Sequence, residues 1–168
     1  MAVSKVLEMD DIDKQIVSLV QKQPNLTHTE IAKRVDRSQP TVGMRIRKLE
    51  EIGVLHFQAG MNLKTAEMYF ARVDIKTNDP EKIYEIARSC PFMLNAFRLS
   101  GDYDISIMLA AFDLGDIDLI VNHHFRKSQD VLKASVEIIT DVMTDFVIPI
   151  NFDFSKCDCM LKEHCWEE

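Results

Sequence analysis

Two helix-start signals separated by a tight corner constrain this chain more than any other feature. Thr27 followed three residues later by Glu30 is a capping-box pattern, and Ile31 and Val35 behind it mark the inward face of a short helix, THTEIAKRV. Asp36 and Arg37 make the turn. Ser38 then caps a longer helix, Gln39 to about Ile52, with Pro40 in its first turn and Val42, Ile46 and Leu49 inward. Upstream, the stretch Asp11 to Lys22 repeats apolar residues at Ile12, Ile16, Leu19 and Val20, the spacing of one buried helix face, and Pro24 and Asn25 end it. Gly53 stops the third helix, and VLHFQA reads as a short strand pair or wing. The pattern predicts a winged helix-turn-helix over residues 1–59.

Charge bears on what such a module touches. The 168-residue chain is acidic, with a net charge of −7, which on average opposes binding to a polyanion. The average conceals a division. Residues 1–60 hold nine Lys or Arg against eight Asp or Glu, whereas the remainder holds eleven against nineteen. Between residues 33 and 48 there are six basic side chains and one acid, Asp36. A basic patch confined to a neutral module is the electrostatic footprint of a DNA reader.

The polar stretch GMNLKTAE, residues 60–67, reads as a short linker or hinge, and a second domain follows over residues 68–154. Tyr69, Ala71, Val73 and Ile75 alternate as a strand, and Asp79-Pro80 opens a helix with Ile83 and Ile86 inward. Two strands, about Phe92 to Leu99 and Tyr103 to Ala111, are joined by Ser100-Gly101-Asp102. A helix from about Asp116 to Arg126 buries Ile117, Ile120, Val121 and Phe125, and a strand follows from Val131 to Met143. A last strand alternates through Phe146, Ile148, Ile150, Phe152 and Phe154. The order βαββαβ predicts an α+β fold, a ferredoxin-like sandwich with one extra strand.

On the third helix, Gln39 and Thr41 are candidates to meet base edges, since the first turn of a recognition helix enters the major groove. Arg45, Arg47 and Lys48 are the phosphate candidates, with Arg45 also placed to read a guanine, and Ser38 belongs with this DNA-binding set. The competing reading is a solvated charged face. Gly43 either leaves room for close approach or is a tolerated helix glycine. His124 falls on an inward face as a satisfied, partly buried histidine, and neighbours such as His123 and His124 point too far apart to share one metal. Cys90, before Pro91, reads as a small apolar filler.

The tail, residues 155–168, crowds Cys157, Cys159, His164 and Cys165 together. Three thiols and one imidazole can supply a zinc set, iron–sulfur ligands or a redox pair, or the tail is inert.

Taken together, MDDIDKQIVSLVQK, RSQPTVGMRIRKLEEIGVL and LSGDYDISIMLAAFD resemble the leucine-responsive regulator / asparagine regulator (Lrp/AsnC) family over nearly the whole chain. The resemblance implies dimers formed through the ferredoxin-like domains, often assembled into octamers, with an amino acid or related small molecule bound between dimers. It carries an effector-binding role onto Gly101, Asp102, Tyr103 and Asp104; the plain reading of the same residues is a hairpin turn. Members that bind polar amino acids commonly carry threonines near the start of the fourth strand, where this chain reads Ala134-Ser135-Val136.

The function expected is a sequence-specific transcriptional regulator on double-stranded DNA. Against it stand an enzyme on the same scaffold, like the paired tetrapyrrole decarboxylases, and a metabolite- or metal-binding oligomer without DNA affinity. The basic third helix discriminates, and the sequence holds no P-loop, glycine-rich dinucleotide motif or nucleophile–base arrangement. No apolar run reaches the length of a membrane span and the start lacks a signal-peptide core, so a cytoplasmic protein is expected.

Overall fold

The computed structural model describes residues 9–151 and Leu161. The chain forms two compact units that divide between Gln58 and Ala59.

The first unit is built from α1 (Asp11–Lys22), α2 (His28–Val35) and α3 (Gln39–Glu51). Each start is capped by a short polar side chain. Asp10 and Asp13 form a reciprocal capping box on α1, Thr27 and Glu30 form another on α2, and Ser38 caps α3. The corner between α2 and α3 turns on Asp36, left-handed at φ 50°, a conformation that Asp tolerates better than most residues. Ile16, Val20, Ile31, Val35, Val42, Ile46, Leu49 and Leu55 close one core between the helices. Gly53, at φ 72°, ends the run, and Val54 and Leu55 donate back to the Leu49 carbonyl.

Residues 54–59 form no strand, in contrast to the expected strand pair. The next residues in β conformation, β1 (Met61–Asn62), pair with β6 (Val147–Ile148), and among the described residues none forms a ladder with 54–59. The stretch 60–67 is correspondingly more than a connector: it carries β1, and Leu63 is buried in the second unit.

The second unit continues with β2 (Tyr69–Thr77), α4 (Pro80–Ser89), β3 (Met93–Arg98), β4 (Ile105–Ala111), α5 (Leu114–Val121) and β5 (Val131–Ile139). The four long strands form an antiparallel sheet in the order β3-β4-β2-β5, the arrangement expected of a ferredoxin-like sandwich. Because side chains alternate across a strand, Ala71, Val73 and Ile75 face the helices while Phe70 faces the other way. The helix side holds the main core, with Ile83, Ile107, Ile117, Ile120 and Phe125 fully buried. Each such side chain contributes about 1.5–3 kcal/mol of burial free energy. The opposite face carries a smaller cluster of Leu63, Phe70, Ala110 and Ile148 under the β1–β6 ribbon.

Three expected elements differ. The strand expected to reach Met143 ends at Ile139. Among the described residues the last strand is confined to Val147–Ile148 and joins β1, not the main sheet; Pro149, which has no N–H to donate, follows it directly. Helix α5 ends as an α-helix at Val121 and runs on as a π-helical turn over Asn122–Arg126, which keeps Phe125 inward. Phe152, Phe154 and the tail ligand candidates Cys157, Cys159, His164 and Cys165 lie outside the described residues. Among the described residues no helix is long and apolar enough to cross a membrane.

Candidate nucleic-acid interface

Helix α3 has two faces of different chemistry. Val42, Gly43, Ile46 and Leu49 are buried, whereas Gln39, Pro40, Met44, Arg47, Lys48 and Glu51 are exposed. The exposed residues border a shallow hollow that His28, the first residue of α2, closes from the side. At the head of the helix the Ser38 Oγ and Thr41 Oγ1 lie 2.7 Å apart, and Ser38 accepts from the Thr41 N–H. Thr41 is half-buried and its hydroxyl is engaged with the cap, so Gln39 is the freer polar group at this end. Arg47 and Lys48 stand on the solvent side, as the basic pattern predicts.

Arg45 is placed differently from expectation. Its Nη1 donates to Asp10 Oδ2 and to Asp13 Oδ1, both at 2.7 Å. The side chain is 25% exposed and that of Asp13 only 8%. Arg45 is therefore a tie between α3 and the start of α1, where both acids also cap, with its guanidinium engaged inside the unit. The Asp10 carboxyl is held below the usual carboxylate range, first by the Asp13 N–H and then by Arg45. A sequence signal for this tie existed: Asp13 shares the Ile16 and Val20 stripe, an acid on an apolar face that needs a partner.

Gly43 is buried, and a Cβ there would sit 3.3 Å from His28 Nδ1. The close approach it permits is to α2.

In the second unit, the residues carried over from the resemblance lie where β3 turns into β4. Asp104 is committed to the fold: its Oδ2 accepts from the Thr77 N–H at 2.9 Å and its Oδ1 from Lys76 Nζ at 3.3 Å. These two groups, the Thr77 N–H first, hold its carboxyl below the ordinary range. Lys133 Nζ stands 5.1 Å from the centre of the Tyr103 ring, a cation–π contact that sequence reasoning missed because Lys133 belongs to a distant strand. Gly101 and Asp102 are exposed, and a Cβ on Gly101 meets nothing within 4 Å. This glycine is not required by crowding.

His124 is not satisfied as expected. Its Nε2 is buried and has no hydrogen-bond partner among the described residues. Burial, and then the neighbouring His123, push the imidazole down to about 4. Cys90 is buried in the main core. Among the described residues no group of three or more His, Cys, Asp or Glu is arranged to hold a metal ion.

Comparison with known proteins bears on both units. A family described as winged helix-turn-helix DNA-binding matches residues 9–55. An HTH-type transcriptional regulator of Pyrococcus furiosus is 32% identical over 127 residues, covering 74% of this chain and 78% of that protein. The HTH-type transcriptional regulator LrpA of Pyrococcus horikoshii is 28% identical over 138 residues, covering 79% of this chain and 97% of the relative. Among solved structures, a transcriptional regulator of Neisseria meningitidis in complex with L-Met superposes with a TM-score of 0.69 at 20% identity, covering 85% of this chain and 97% of that one. At that identity the likeness shows the fold.

Proposed function

This chain belongs to the Lrp/AsnC family of DNA-binding transcriptional regulators, and from that premise we propose how it engages its target. Two copies present α3 to successive major grooves of double-stranded DNA, with Gln39 at the base edges and Arg47 and Lys48 on phosphate. The observation that carries this reading is the solvent-facing stripe of Gln39, Arg47 and Lys48 on the second helix of the helix-turn-helix, left exposed while Arg45 is engaged elsewhere. The copies associate through the second unit as a homodimer or a larger closed assembly, consistent with the two-fold symmetry of paired half-sites.

The second unit takes an amino acid or related small molecule near the β3–β4 turn. Gly101 and Asp102 are exposed there, and Tyr103 and Lys133 supply an aromatic face and a cation for a carboxylate. The L-Met complex of the Neisseria meningitidis regulator supports a ligand of this class.

Fluorescence anisotropy on a duplex selected from a random pool tests the DNA contact. Arg47→Ala and Lys48→Ala should each weaken binding and lower the slope of log affinity against log salt by about one. Unchanged affinity and slope in both variants would remove α3 from the interface. A monomeric mass by light scattering would remove the dimer, and DNA affinity indifferent to all twenty amino acids would remove that effector class.

A further inference from the structure

The exposed face of α3 carries one large apolar side chain. Met44 is 66% exposed, one turn after Pro40 and one turn before Lys48, with Arg47 beside it and Gln39 at the head of the helix. A single exposed apolar residue on a protein surface needs no explanation. This one lies midway along the stripe that the DNA reading turns toward the groove, flanked by the two cations assigned to phosphate.

Gly43 sharpens the placement. With no side chain at position 43, His28 packs within contact distance of α3, and Met44 is the side chain that projects beside that contact at the edge of the hollow. The unbranched thioether adapts to an irregular apolar surface at little cost. Base edges in the major groove offer one apolar group, the C5-methyl of thymine; every other edge presents a donor or acceptor that a methionine would strip of water without replacing.

We propose that Met44 is a specificity-determining residue that selects a thymine in each half-site through its methyl group. The proposal rests on the reading that α3 enters the major groove, and it adds an apolar contact to the hydrogen bonding of Gln39. Attraction to the methyl and rejection of a polar edge both favour the same base.

The test uses the full-length protein and the duplex it selects from a random pool. Each thymine is replaced singly by deoxyuridine, which removes the methyl and leaves hydrogen bonding intact. At one thymine per half-site the replacement should weaken binding about fourfold, the affinity equivalent of withdrawing one methyl group from apolar contact. Met44→Ala, an exposed substitution checked for an unchanged melting temperature, should bind the thymine and uracil duplexes equally. A pool selected with Met44→Ala should also lose its preference at that position. The proposal is overturned if no single uracil weakens the unaltered protein, or if Met44→Ala keeps the same discrimination. Arg47→Ala in the same assay separates the two levels. If it weakens binding while every uracil is silent, α3 is in the groove and Met44 does not read it; if it also has no effect, the groove reading falls as well.

Discussion

Arg45 Nη1 lies 2.7 Å from Oδ1 of Asp13, so the helix that carries the outward basic stripe is tied to the first helix through a carboxylate almost wholly withdrawn from water. Asp13 in turn caps α1 with Asp10, which the same guanidinium also reaches. One side chain thus satisfies two acids and fixes the relative placement of α1 and α3.

Arg45→Ala should therefore destabilise the first unit, by about 2 kcal/mol, because it leaves Asp13 buried without its charged partner. Urea unfolding of the full-length protein, followed through amide exchange in α1 and α3, would show it. Arg47→Ala, on the exposed face, should leave the same transition in place. Equal stability of the Arg45→Ala and unaltered proteins would mean that water replaces the tie without cost.

Gly60 offers a second test, in the other unit. A Cβ at this position would overlap the backbone carbonyl of Ile148, and backbone cannot step aside as a side chain tip can. Gly60→Ala should part β1 from β6 and uncover Leu63 and Ile148, at a cost of about 1–3 kcal/mol. Faster amide exchange confined to Leu63, whose N–H donates to the Phe146 carbonyl, and to its ribbon neighbours is the expected signature. An unchanged melt and unchanged exchange would show that the ribbon accepts the methyl.

What the sequence made legible was local chemistry. Thr27, Ser38 and Asp79 announce helix starts because each cap bonds to an N–H three residues away. The ferredoxin-like order followed from alternation and periodicity for the same reason. Partnerships across the chain were not legible. Arg45 and Asp13 are 32 residues apart, and a basic residue on a basic helix reads as one more phosphate contact until its partner is seen. The alternating run from Phe146 announced a strand without saying that β1 would take it. Met44 was missed for a different reason: a methionine in a helix ordinarily belongs to a core, and only its exposure marks it as something else.

His124 gives the last prediction, a stability that falls with pH beginning above the carboxylate range. The π-helical turn places its Nε2 in a buried position with no partner among the described residues, beside His123 at a ring separation of 4.7 Å. Burial and then His123 lower the imidazole from 6.5 to about 4 in the folded protein. In the unfolded chain the same group takes a proton near its ordinary value. Between those two values the unfolded state holds the extra proton, so stability is full above pH 6.5 and is lost as pH falls toward 4. The slope should approach one proton per chain. Glu30, held below its ordinary value of 4.5 first by the Thr27 N–H, and Asp10 and Asp104, held below 3.8, begin to lose their contributions in the acid part of this window. They do so equally in the unaltered chain and in a His124 variant, so the difference between the two profiles isolates the imidazole. Thermal melts of the full-length protein from pH 7 to 4 should show the decline in the unaltered chain and a flatter profile in His124→Phe. The same slope in both would mean that His124 takes up its proton without penalty, and that the buried Nε2 reaches water when the helix breathes.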